Sequence, residues 1–154
     1  VTAGNASQIS GAGSAIVMMS KREAERRGVK PLGEFVSYGM VAGPDNASLL
    51  HQPSRSIMKA LDRAGKKVSD VDLFEINEAF AAQVLPSAKH LGIPMEKLNI
   101  HGGGIALGHP FGMTGARIMT TLINGLQWED KTFGMETMCV GGGQGMAMIV
   151  ERLS

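Results

Sequence analysis

Two glycine triplets, Gly102–Gly104 and Gly141–Gly143, each placed between apolar runs, restrict what this chain can fold into. Glycine loses more backbone freedom on ordering than any other residue, so it weakens helix and strand interiors alike. A chain with 21 glycines and only 6 prolines, many of the glycines clustered, is therefore built from short elements joined by tight bends. No apolar run reaches the length of a membrane span. The 154 residues suit one compact domain, and 44% hydrophobic against 19% charged residues can form a packed core. A net charge of +1 gives no reason to expect nucleic acid or a membrane surface as partner. The single cysteine, Cys139, excludes an internal disulfide framework and suits a reducing compartment. The first residues lack the layout of a signal peptide, so a soluble, cytoplasmic protein is expected. The chain opens at Val1 without a methionine; a processed chain or a piece of a longer protein would both explain this, and the motifs favour the second.

Apolar periodicity places the elements. Residues 15 to 19, A-I-V-M-M, read as a short buried strand. Ser20 then caps a polar helix that stops at Gly28. An extended stretch follows from Leu32 to Val41, then a loop through A-G-P-D-N and a helix from about Ser54 to Gly65. The run V-D-L-F-E-I predicts a strand leading into Asn77, where a second helix begins with Asn77 as its N-cap. Glu78 would sit in that helix's first turn, and Pro86 would kink or break it. A further helix fits Thr114 to Leu126, and two strands around G-G-G-Q-G close the chain as a hairpin. Such alternation predicts an α/β layered domain with a mixed five-stranded sheet and helices on both faces. No tandem repeat, low-complexity tract or linker divides it.

Three places put a polar or reactive side chain at a strand end or in a glycine-rich bend: Asn77, His109 and Cys139. Glycine bends expose backbone N–H groups and let a ligand approach. Cys139 reads either as a small buried residue or as a thiol supported by the amides of Gly141 to Gly143. His109, between Gly108 and Pro110, is held stiffly ahead of a helix; the plain alternative is a loop histidine with one structural hydrogen bond. Asn77 is a cap, or a donor to developing negative charge. His51, His90 and His101 have no such setting, and Lys21, Arg22, Arg26 and Arg27 alternate with glutamates as on a solvated helix face. No G-x-G-x-x-G or G-K-S/T loop occurs, and one cysteine with scattered histidines does not make a zinc site. The 11 methionines serve mostly as core filling.

Taken together, V-T-A-G-N-A-S, N77-E-A-F-A-A, G102-G-G-I-A-L-G-H-P-F-G-M-T-G-A-R and C139-V-G-G-G-Q-G resemble the signatures of the thiolase family, in that order and spacing. The resemblance runs the length of residues 1–154 and implies the C-terminal half of a two-domain fold. It implies a Claisen condensation of two acetyl-CoA, or the reverse thiolysis, with coenzyme A thioesters as substrates and no cofactor or metal. On that reading His109 lowers the pKa of an acylated cysteine and helps polarise a thioester oxygen. Cys139 is the acid/base at the α-carbon. Asn77 fixes a water that, with His109, forms one oxyanion hole, and the Gly141 amide joins a second. Ser7 contacts pantetheine, with Ala79 and Phe80 lining the same tunnel.

In the family the acylated cysteine belongs to an N-terminal half, and this chain has no second cysteine. Alone it is expected to be inactive, while the full-length protein forms a homodimer or homotetramer. Two stretches depart from the pattern: Ser10-Gly11-Ala12 replaces an acidic N-D-G, and Leu49 to Pro53 differs near the acyl pocket. A 3-ketoacyl-CoA thiolase of broader chain length would use the same residues. From other classes, a cysteine hydrolase built on Cys139 and His109, and a domain serving only in assembly, remain as alternatives.

Overall fold

The computed structural model describes residues 1–43 and 48–154; the part of the expected A-G-P-D-N loop from 44 to 46 lies outside them. Four strands form one sheet: β1 (Gly33–Ala42), β2 (Leu73–Ile76), β3 (Phe133–Val140) and β4 (Gln144–Arg152), in the order β1-β4-β3-β2. β2 runs parallel to β3, and the other pairs are antiparallel. Mixed pairing follows from the connections: a two-strand hairpin needs only the glycine turn, whereas the parallel step from β2 to β3 needs a helical crossover.

Alternation along the strands divides the core. Phe74, Ile76, Met135, Ala147 and Ile149 point to one face, where they meet helices α2 (Gln52–Ala64) and α3 (Ala81–Leu91). Leu73 and Val150 point to the other, against Met119, Leu122 and Leu126 of the long helix that completes the crossover. Helices therefore cover both faces. That helix runs Thr114–Trp128 and follows a single turn at Gly104–Leu107; with the polar helix α1 (Lys21–Arg27) they are α5, α4 and α1. α1 starts as expected, with the Ser20 hydroxyl accepting from the Glu23 amide, and ends at Gly28.

α2 lies unusually close to the sheet. A Cβ at Gly145 of β4 would stand 2.5 Å from the carbonyl oxygen of Gln52, and one at Gly39 of β1 would overlap the Ser56 carbonyl. Small residues on the strands let the helix backbone seat against them, which fixes the height of α2's first turn over the hairpin.

Two expectations need correction. The sheet has four strands, not five, because residues 15 to 19 pair with no strand among the described residues. They are exposed, Val17 at 84% and Met18 at 64%. Their β-branched, apolar character set a propensity, but a strand also needs a neighbour whose N–H and C=O groups complete the ladder. On the β2 side, among the described residues, the sheet gains only a single parallel bridge, Phe74 to Leu98. Secondly, Asn77 is not an N-cap. Helix α3 begins four residues later, at Ala81, with extended Phe80 before it, so neither Asn77 nor Glu78 belongs to a helix. α3 continues through Pro86, whose missing N–H leaves only the carbonyl of exposed Ala82 without its helical donor.

Candidate active site

The release of Asn77 from capping is what makes a site. β2 ends at Ile76, and the Asn77 amide still bonds to the Thr137 carbonyl of β3 at 2.9 Å. The side chain is buried at 2% exposure and meets the His109 ring, Nδ2 to Nε2, at 3.2 Å. The other ring nitrogen, Nδ1, lies 2.7 Å from the hydroxyl of Thr114, the first residue of α5. That hydroxyl donates to the Pro110 carbonyl at 3.0 Å, so towards the ring it accepts. The consistent assignment puts the proton on Nδ1 and leaves Nε2 as acceptor of the Asn77 amide. Burial, then the positive charge of Arg117, pushes the His109 pKa down, which favours this neutral imidazole.

The backbone holding His109 is shaped by glycine. Gly108 has φ +95°, in the left-handed region that side chains avoid, and a Cβ there would run into the Ser10 hydroxyl. The chain upstream is fastened by Glu78, a residue whose value the sequence did not disclose. Its carboxylate accepts from the Asn99 side chain at 2.9 Å and from the Ile105 amide of α4 at 3.1 Å. A Cβ on Gly103 would stand 2.6 Å from the Glu78 carboxyl carbon. Asn99 itself bonds both the amide and the carbonyl of Ile76. One carboxylate thus ties the strand end carrying Asn77 to the bend leading to His109.

Cys139 is half-buried near the end of β3, two residues beyond the Thr137 that anchors Asn77, and opposite Gly145. Burial pushes its thiol pKa up, partly offset by a backbone hydrogen bond. The turn that follows is Gly141–Gly143, with Gly142 and Gly143 at φ +83° and +75°. Gly141 precedes these two, its carbonyl taking the Gln144 side-chain amide. Ser7, Ala79 and Phe80 also come together: the Ser7 amide donates to the Ala79 carbonyl at 3.0 Å, and Ala6 bridges Phe80. Ala79 is buried, Ser7 half-buried and Phe80 exposed. His51 and His90 stand exposed in the helical segments around α2 and at the end of α3, while exposed His101 packs edge-on against Trp128.

This arrangement can hold a neutral imidazole in one orientation and offer it to a proton from outside. Among the described residues neither ring nitrogen is bonded to Cys139, the contact on which the hydrolase alternative rests. Thr114, Glu78, Asn99 and Arg117 were not foreseen as site residues. Only Thr114 had a signal, a hydroxyl five residues after a histidine at a helix start.

Comparison with known proteins gives a consistent result. Residues 29–152 match the family model described as thiolase, C-terminal domain. The chain is 49% identical over its whole length to acetyl-CoA acetyltransferase of Escherichia coli, covering 39% of that protein. It is 50% identical over 99% of its length to beta-ketothiolase BktB of Cupriavidus necator, again covering 39% of it. The crystal structure of Bacillus anthracis acetyl-CoA acetyltransferase superposes with a TM-score of 0.94 at 41% identity, over 99% of this chain and 39% of that one. The chain therefore spans about two-fifths of the length of the relatives it matches.

Proposed function

The chain belongs to the thiolase family, and from that premise we propose that it supplies the proton-handling half of an acyl-CoA acetyltransferase, whose acylated cysteine comes from an N-terminal half. The observation that supports this most is the His109 imidazole fixed between Asn77 at 3.2 Å and Thr114 at 2.7 Å, with the Asn77 backbone amide bonded to Thr137, two residues before Cys139.

In the thiolysis direction, the thiol of the N-terminal half's cysteine gives its proton to Nε2 of His109 and attacks the ketone carbon of acetoacetyl-CoA. Protonation turns Nε2 from acceptor into donor, so the imidazolium can face a thioester or ketone oxygen. The carbon–carbon bond then breaks and leaves the enolate of acetyl-CoA. Its oxygen needs preset donors, which Asn77, through a water, and His109 provide. Its α-carbon takes the proton of Cys139, whose burial keeps the thiol protonated at rest. Coenzyme A finally releases the acyl group from the other cysteine. In the condensation direction Cys139 must first lose its proton and then removes one from acetyl-CoA. The Gly141 amide serves the tetrahedral intermediates, and Ser7 with Ala79 and Phe80 receives pantetheine.

A chimera tests this. In it, the matching 39% of the E. coli acetyl-CoA acetyltransferase is replaced by residues 1–154 of this chain. Coenzyme A-dependent cleavage of acetoacetyl-CoA by the chimera, and none by the purified chain alone, is the expected result. A folded but inert chimera, or turnover by the chain alone at a full enzyme's rate, would overturn the proposal. A series of longer 3-ketoacyl-CoA substrates on the same chimera reads its chain-length preference.

A further inference from the structure

Beneath the His109 bend lies a cluster of ionisable groups with no part in the chemistry above. Glu75 of β2 and Glu136 of β3 are direct register partners on adjacent parallel strands, on the face covered by α5. Glu75 is buried at 4% exposure. Glu136 is half-buried, but its Oε2 atom is fully enclosed and has no hydrogen-bond partner among the described residues. Over them lies Arg117, from the first turns of α5, with Nη1 3.8 Å from Oε2 of Glu75. All three guanidinium nitrogens are buried without a hydrogen bond among the described residues. Such a group is held by charge and enclosure, not by a surface fork.

We propose that Arg117 is a positioning residue for His109: enclosed over Glu75 and Glu136, it anchors the first turn of α5, where Thr114 fixes the ring. Its positive charge also bears on the imidazole. Thr114 stands three residues before Arg117, on the same side of the helix. Gly115 between them lies 3.8 Å, measured to a built Cβ, from the Met138 sulfur of β3, so this turn is seated directly on the sheet.

The charge balance follows from the geometry. Carboxyl groups at facing register positions are neighbours, and two negative charges so placed disfavour each other. Burial above all lifts each of them to about 8, so both carboxyls are mostly protonated at neutral pH and below. Across the range where His109 titrates, Arg117 therefore keeps a positive charge that this pair does not cancel. The groups facing Arg117 are Glu75 from β2, Glu78 from the following loop and Glu136 from β3. β4 contributes the uncharged Met148 opposite Glu136. Facing His109 are Asn77, Thr114, the Phe111 ring at 5.0 Å between centroids, and the charge of Arg117.

The role in catalysis rests on the thiolase reading, but the coupling between Arg117 and His109 does not, and the experiment separates them. NMR titration of the four histidine rings in the 154-residue chain needs no substrate. Arg117→Met moves the His109 midpoint up, Arg117→Lys restores it, and the other three histidines stay in place. Arg117→Gln, which keeps a polar side chain but removes the charge, moves the midpoint the same way and provides the test if Arg117→Met does not fold. A His109 midpoint unmoved in a folded Arg117→Met or Arg117→Gln chain overturns the proposal. In the active chimera, Arg117→Met lowers kcat about 10²-fold with KM little changed, the size expected for a misplaced reacting group. It also moves the acidic limb of the pH profile upward. Loss in KM alone, with that limb unmoved, would equally overturn it. If the unmodified chimera is inert, the functional reading fails while the titration still decides the coupling.

Discussion

A single carboxamide shows how a residue's meaning depends on where its element stops. Asn77 reads as a helix cap in the sequence because it stands between a strand pattern and a helix pattern. In the fold, three further non-helical residues separate it from α3, and its side chain turns to His109 instead. Its Nδ2 meets the ring, while Oδ1 is buried with no partner among the described residues. The group is thus committed to the site at some cost in unmet hydrogen bonding, which argues against a purely local role. In the active chimera, Asn77→Ala should lower kcat about 10²–10³-fold, the loss expected for one preset donor to an enolate oxygen. Thermal unfolding should change little, since the residue is no cap. A variant with normal kcat, or one that simply unfolds, would return Asn77 to structure. At this scale the sequence exposed the glycine-framed His109 and Cys139 but hid Glu78 and Arg117. Their partners, Asn99 and Ile105 for Glu78, Glu75 and Glu136 for Arg117, lie 19 to 42 positions away in sequence, and only the fold brings them together.

At the scale of elements, the boundaries of α1, α2, β3 and β4 were legible because each has a local signal at one end: a serine cap, a glycine in the left-handed region, or the hairpin triplet. α5 was legible from its apolar periodicity, since neither of its ends carries such a signal. The close seating of α2 was not, since a glycine within a strand pattern does not say which backbone approaches it. Gly145→Ala places a methyl 2.5 Å from the Gln52 carbonyl oxygen, and backbone cannot give way as a side-chain tip would. The variant should lose about 2–3 kcal/mol in urea unfolding. An unchanged midpoint would mean that α2 does not rest on β4. The β2–β3 face makes a different prediction. Glu75 and Glu136 hold their protons to about 8 in the fold, whereas an unfolded chain releases them near 4.5. Between those values the unfolded chain binds fewer protons, so stability falls as pH rises from about 4.5 through about 8. His109 acts oppositely and only on the acidic side: its lowered pKa removes stability as pH falls. Two raised carboxyls outweigh it above neutrality. Glu136→Gln should therefore raise Tm at pH ~8.5, by ~1–3 kcal/mol equivalent, and give no gain at pH ~5. Parallel Tm curves for the two proteins would show that the carboxyls are not held as the structure holds them.

For the whole molecule, the expected layers are present and the expected fifth strand is not, and its absence has a physical consequence. Residues 15 to 19 carry an apolar, β-branched pattern yet lie exposed, along a groove of about 660 Å³ floored by Phe35, Met119, Ile123 and Val150. The family match begins at residue 29, just beyond this segment and α1. A pattern suited to burial, outside the matched domain, in a chain spanning 39% of its relatives, is what an interface with a second half would leave behind. Val17 and Met18, exposed at 84% and 64%, should therefore drive association when the chain stands alone. Val17→Lys with Met18→Lys should make the isolated chain more monodisperse by light scattering without lowering its Tm, because neither side chain packs in the core. In the chimera the same pair should lower soluble yield and acetoacetyl-CoA cleavage together, since there the charges would have to be buried against the other half. The isolated chain and the chimera must respond in opposite directions. An isolated chain that is monomeric without the changes, beside a chimera indifferent to them, would show that these residues are ordinary surface and that the second half docks elsewhere.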